Sequence, residues 1–182
     1  TGVQTCALPI LIRGLYMTNE IIREIEELKK EKNAIILAHN YQPKEIQEIA
    51  DFVGDSLELC IKANNVDEAD IIVFCGVNFM AETASIISPD KKVLLPDNRA
   101  NCQMADMVSL DELKKAKAEH PDCEVVLYVN SRAETKSEAD IVCTSANAGK
   151  IVSSLKSDNF IFAPDHNLGI YSAKQSGKNP II

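Results

Sequence analysis

The stretch VLLPDNRANCQMAD at 93–106 places a lone thiol where chemistry could follow. The apolar run Val93-Leu94-Leu95 stops at Pro96-Asp97. A few residues of loop then deliver Cys102 to what reads as the start of a helix. A thiol just past the carboxyl end of a strand stands where α/β proteins keep ligands and reacting groups. A free cysteine also packs well as a small buried hydrophobe, and this stretch alone leaves both readings open. Other apolar runs end in polar residues too. His39, Asn40 and Tyr41 follow AIILA; Cys75 follows IIVF; Tyr128 and Asn130 lie in VVLYVN; Ser145 follows DIVCT; Asp97 and Asp165 follow prolines. These groups would form one polar site if their elements faced a common centre.

The elements needed to position them are legible as a pattern. Ile21, Ile22, Ile25 and Leu28 fall on one face of a charged helix. Ala34–Ala38 is a continuous apolar run, as in a strand covered on both faces. Pro43 suits a helix start, Ile46, Ile49, Ala50 and Val53 give that helix a stripe, and Gly54 closes it. Asp55-Ser56 opens another short helix with Leu57, Cys60 and Ile61. Strand 71–74, a helix from Phe79 to Ile87 and strand 93–95 follow. Ser109 and Glu112 form a capping box for helix 109–119, which His120-Pro121 ends. Strands are expected at 125–129, 140–143 and 160–162. A helix bearing Ala148, Ile151, Val152 and Leu155 and a last helix from Asn167 alternate with them. Buried strands alternating with helices predict parallel sheets with right-handed crossovers.

Two halves of this series look alike. EADIIVFCGVN at 68–78 answers EADIVCTSAN at 138–147, and VLLPDNRAN at 93–101 answers FIFAPDHNLG at 160–169. Duplication of a strand–helix–strand–helix–strand unit is the economical explanation. We expect a first αβα unit over 17–106 and a second over 107–182. Residues 1–16 fit neither, having no period and no cap ahead of Met17; the first ten, Cys6 among them, read as translated adaptor sequence outside the fold, with a signal peptide as the alternative.

Composition narrows the function classes. The chain has 182 residues, 46% of them hydrophobic, which suits a folded protein with a real core. A net charge of −8 argues against nucleic acid as a partner, though an acidic protein can still hold a locally positive site. No apolar run reaches the length of a membrane span. The six cysteines, at 6, 60, 75, 102, 123 and 143, form no CxxC pair. That disfavours a closed zinc site or a disulfide framework and points to a reducing cytoplasm.

Six motifs in order carry a more specific signal: ILAHNYQ at 36–42, DFVGDSLEL at 51–59, FCGVNFMAET at 74–83, VLLPDNRANCQMAD at 93–106, YVNS at 128–131 and CTSANA at 143–148. Together they resemble the quinolinate synthase family. The resemblance implies three similar α/β units around a pseudo-threefold axis and a 4Fe–4S cluster. The activity it implies joins iminosuccinate to dihydroxyacetone phosphate, making the quinolinate ring for NAD biosynthesis, with L-aspartate oxidase or aspartate dehydrogenase as functional neighbours. By the same resemblance Cys102 is a cluster ligand. His39, Ser56, Tyr128, Asn130 and Ser145 bind iminosuccinate, and Tyr41, with His39 and Tyr128, serves proton transfer. Hydroxyl, amide and imidazole donors suit carboxylates, and Tyr and His carry protons. An iron left open would act as a Lewis acid. Cys60, Cys75, Cys123 and Cys143 are assigned to packing.

Plainer readings stand beside these. Ser56 and Ser145 could be N-caps, Asn130 a turn residue and His39 a buried histidine. A cluster-free module for a small dicarboxylate or phosphate, or a Cys102–His39 catalytic pair, are the competing functions. The chain also departs from the family pattern. Asn78 stands where relatives carry His or Arg, and Asn101 where Gly or Glu is familiar. Two further cysteine ligands and a third unit are expected beyond Ile182, so these 182 residues are expected to be inactive alone.

Overall fold

The computed structural model describes residues 18–65 and 69–182. The expectation for residues 1–16, the role of Cys6 and the match at Glu68 lie outside them. The chain divides into two compact units, Thr1–Asn101 and Cys102–Ile182.

In the first unit, helix α1 (Asn19–Glu31) leads to strand β1 (Ala34–His39). Helix α2 (Lys44–Ile49), strand β2 (Phe52–Gly54), helix α3 (Ser56–Asn64), strand β3 (Ile71–Cys75), helix α4 (Asn78–Ile87) and strand β4 (Lys92–Leu94) follow. The second unit runs α5 (Leu110–Glu119), β5 (Glu124–Tyr128), α6 (Ala133–Lys136), β6 (Ile141–Cys143), α7 (Ala148–Ser154), β7 (Asn159–Ala163), α8 (His166–Ser176) and β8 (Asn179–Ile181). Each unit holds one four-stranded sheet, ordered β2-β1-β3-β4 and β6-β5-β7-β8, with every pairing parallel. The expected α/β class and tandem units with short parallel sheets are thus present.

Why the strands read as unbroken apolar runs is clear in the second unit. Val126, Phe160 and Phe162 pack on one face with Val152 and Ala173. Their chain neighbours Val125, Leu127 and Ile161 pack on the other with Leu113. Successive side chains point to opposite faces, so both must be apolar when helices cover both. The Ser109–Glu112 capping box forms as expected: Glu112 N–H donates to the Ser109 hydroxyl and Ser109 N–H to the Glu112 carboxylate.

Two expectations need correction. The helix expected to end at Gly54 stops at Ile49; Ala50 turns extended, and Phe52–Gly54 pairs with β1 as an edge strand. The stripe through Val53 was a coincidence of period, and the aromatic and β-branched pair Phe52-Val53 suits a strand better. The internal repeat is real in topology but shifted by one strand from the motif match. β3 lies third in its sheet whereas β6 lies at an edge, so 68–78 does not correspond to 138–147.

A shared hydrogen-bond pattern gives the true correspondence. Ile36 N–H donates to the Asp51 carboxylate at 2.7 Å, and Asp51 N–H returns a bond to the Ile36 carbonyl at 2.9 Å. Val125 and Asp140 repeat the pair at 2.7 and 3.0 Å, again 15 residues apart. Asp51 therefore answers Asp140, β2 answers β6, and DFVGDS at 51–56 answers DIVCTS at 140–145. In this register Ser56 answers Ser145 and His39 answers Tyr128. The matched Ala-Asp and Pro-Asp pairs misled because such dipeptides suit any strand entrance or exit.

Candidate active site

The polar residues of the first unit gather where β1 and β2 end. His39 lies opposite Gly54 in the parallel register. The Asn40 N–H donates to the Gly54 carbonyl at 3.0 Å, closing that end of the pair. The ring of Tyr41 tilts against His39, centroids 4.0 Å apart, and its hydroxyl donates to Met80 Sδ at 3.7 Å. Tyr41 N–H donates to His39 Nδ1 at 3.4 Å. With Nδ1 accepting, the neutral ring carries its proton on Nε2, a donor suited to a carboxylate.

Burial lowers the His39 pKa below its usual value, and the Asp55 carboxylate partly opposes this. His39 is therefore neutral at pH 7. Its depressed folded-state value makes it stabilising above the unfolded value of 6.5, a contribution lost as pH falls through the folded pKa. An NMR titration of the imidazole is expected to give a midpoint below 6.5, falling further in Asp55→Asn; a midpoint above 6.5 would contradict this.

Ser56 is not the cap of its helix. Asp55 takes that place, accepting the Glu58 N–H at 2.9 Å while its own N–H donates to the Glu58 carboxylate at 3.0 Å. Ser56, half-buried, is the first residue of α3, two positions past the end of β2. Sequence reasoning overlooked the Asp55–Glu58 box, though D-x-x-E is a visible signal.

The second unit brings three of the expected residues together. Tyr128 ends β5 opposite Cys143, and its phenol hydrogen-bonds Ser145. Burial raises the Tyr128 pKa; the Ser145 bond opposes the rise, while nearby Asp165, Cys143 and Cys102 add to it. Tyr128 thus stays a neutral O–H donor near the Cys102 thiol. Ser145 precedes α7, where Thr144 N–H donates to Asn147 Oδ1 at 2.7 Å, so it is not the helix cap either. Asn130 lies half-buried in the turn after β5, whose Ser131 hydroxyl donates to the Tyr128 carbonyl at 2.7 Å. Asp165 is the N-cap of α8, accepting the Leu168 N–H at 2.9 Å.

Cys102 is only 2% exposed and lies in a turn, with its carbonyl accepting the Asp106 N–H at 3.2 Å. The helix expected to start there does not form; α5 begins at Leu110. Burial pushes the thiols of Cys75 and Cys143 up to about 11 and about 12, so neither is a ready thiolate. Among the described residues no three His, Cys, Asp or Glu side chains come together as a metal-ion site. A 4Fe–4S cluster needs most of its corners filled by thiolates, so these residues alone do not fit one.

The first unit also carries a groove of about 400 Å³, lined by Ile25, Leu28, Ile36, Ile49, Val73 and Leu94 among others. None of the residues expected to bind substrate lines it, and its apolar wall offers a carboxylate little. Among the described residues, no helix is long and apolar enough to cross a membrane.

The model of the quinolinate synthetase A protein (NadA) family matches residues 23–182. The chain belongs to this family. It is 59% identical over 165 residues to the quinolinate synthase of Methanothermobacter thermautotrophicus, covering 91% of this chain and 54% of that protein. The quinolinate synthase of Thermococcus onnurineus is 62% identical over 162 residues, 89% of this chain and 53% of its own length. That of Pyrococcus abyssi is 60% identical over 162 residues, with 89% and 54% covered. The chain thus spans about half the length of the curated relatives it matches. The family match covers both units.

Proposed function

We propose that the full-length protein is a quinolinate synthase, condensing iminosuccinate with dihydroxyacetone phosphate in NAD biosynthesis. The observation that carries this reading furthest is the Tyr128–Ser145 hydrogen bond beside Cys102, in a chain of this family. It brings two hydroxyls together beyond the ends of β5 and β6, with the Cys102 thiol close enough to act on the phenol.

In this reading His39, Ser56, Tyr128, Asn130 and Ser145 bind the carboxylates of iminosuccinate. His39 donates from Nε2. Fixing the dicarboxylate in place removes much of the entropic barrier to carbon–carbon bond formation. Tyr41, with His39 and Tyr128, moves protons during loss of phosphate and water. Cys102 is one ligand toward a 4Fe–4S cluster, the remaining ligands coming from outside the described residues. L-aspartate oxidase or aspartate dehydrogenase would supply the unstable imine, and the cytoplasm is the matching compartment.

The test is product formation. Full-length protein reconstituted anaerobically with iron and sulfide, then given iminosuccinate and dihydroxyacetone phosphate, is expected to release quinolinate. The 182-residue chain treated the same way is expected to release none. A full-length protein that holds its iron and makes no quinolinate would overturn the reading.

A further inference from the structure

The loop between β4 and Cys102 is bonded to the start of α4 through one residue, Asn78. Asn78, the first residue of α4, makes three hydrogen bonds to it. Its N–H donates to the Ala100 carbonyl at 2.8 Å. Its side-chain Nδ2 donates to the Asn98 carbonyl at 3.3 Å and to Asn101 Oδ1 at 2.6 Å. Val77, the N-cap of α4, makes no side-chain cap, so the loop itself takes up the helix's first donor.

The loop is internally braced as well. Arg99 donates to Asp97 from its backbone N–H at 2.8 Å and from its guanidinium at 2.7 Å, and Ala100 N–H donates to the Asp97 carbonyl at 3.1 Å. These Arg99 hydrogen bonds hold the Asp97 carboxyl at about 2, so the brace keeps its charge at any ordinary pH. The segment Asp97–Asn101 thus carries its own hydrogen bonds, and Asn78 joins it to α4. Asn78 and Asn101 are also the two positions at which the sequence departs from the pattern it resembles. The structure shows them as hydrogen-bond partners.

We propose that Asn78 is a positioning residue for Cys102. By pinning Asn98, Ala100 and Asn101, it fixes the backbone up to the peptide bond from which Cys102 departs. The inference takes its purpose from the reading of Cys102 as a functional thiol, but it concerns the loop and is tested without activity or iron.

The experiment is site-resolved alkylation of the 182-residue chain with iodoacetamide, followed by peptide mass spectrometry. Cys60, Cys75 and Cys143 serve as internal references. Asn78→Ala removes two side-chain bonds and is expected to raise the rate at Cys102 on the order of tenfold, leaving the reference thiols within about twofold of wild type. Asn78→His restores a donor from Nδ1 and is expected to bring the rate back to within about threefold of wild type. Asn101→Ala, which keeps the α4 terminus intact, removes the acceptor of the Asn78 amide and is expected to raise the Cys102 rate about fivefold. An unchanged Cys102 rate in both alanine variants would overturn the proposal. So would an equal rise at all four cysteines, which reports unfolding of the chain rather than release of the loop. Alkylation of Cys102 by wild type at the rate of an unfolded peptide would overturn it too.

Discussion

Cys102→Ser in the full-length protein is expected to abolish quinolinate formation and to lower bound iron after anaerobic reconstitution. Serine keeps the size and the backbone of the turn, so the fold is retained. What changes is the donor: an alcohol stays protonated where a thiolate would bind iron. Loss of one cluster corner removes the iron–sulfur chromophore together with turnover, and the two are read on one sample by absorbance and product assay. A variant with wild-type rate and full iron would favour a cluster-free binding module. A variant with full iron and no turnover would place Cys102 in the reaction as a nucleophile, the Cys102–His39 alternative. The same substitution at Cys143 should change neither readout, because burial pushes that thiol up to about 12.

Ser145→Ala and Tyr128→Phe are expected to have the next largest effects, and different ones. Ser145 loses a hydroxyl that bonds the Tyr128 phenol and would face a charged carboxylate. A hydrogen bond to a charged group contributes about 1.5–3 kcal/mol, so KM for iminosuccinate should rise on the order of tenfold to a hundredfold. Tyr128→Phe keeps the ring that packs on the cluster of Val126, Phe160 and Phe162 but removes the proton carrier. Its kcat is expected to fall about a hundredfold, the scale of a lost general acid or base. Steady-state kinetics on the full-length protein decide it. Variants within twofold of wild type in both parameters would remove these residues from the site.

Much of this was legible because burial on both faces leaves a plain mark. Ala34–Ala38 and Val125–Leu127 could hardly be anything but central strands, and the Ser109–Glu112 box announced α5 outright. What stayed hidden was held by longer-range bonds. Strand β2 carries three residues, too few for a pattern, and is anchored by the Asp51 carboxylate on Ile36 N–H. The signal was present as the parallel D-x-x-x-x-S spacing of Asp51–Ser56 and Asp140–Ser145, masked by the stronger look of the Ala-Asp and Pro-Asp matches.

For the site, sequence could name residue types at strand ends but not their local partners. That Ser56 and Ser145 are not helix caps follows from Asp55 and Asn147 taking those places, which only coordinates show. The tautomer of His39 is set by a backbone N–H two residues on, and the loop before Cys102 is bonded by Asn78, twenty positions or more away in the chain.

The proposed function requires that His39 and Ser145 each bind a substrate carboxylate, and calorimetric titration of the full-length protein with succinate tests this most directly. Wild type should bind succinate, and His39→Ala from the first unit and Ser145→Ala from the second should each weaken binding on the order of tenfold. Unchanged affinity in both variants, with binding intact, would contradict the account.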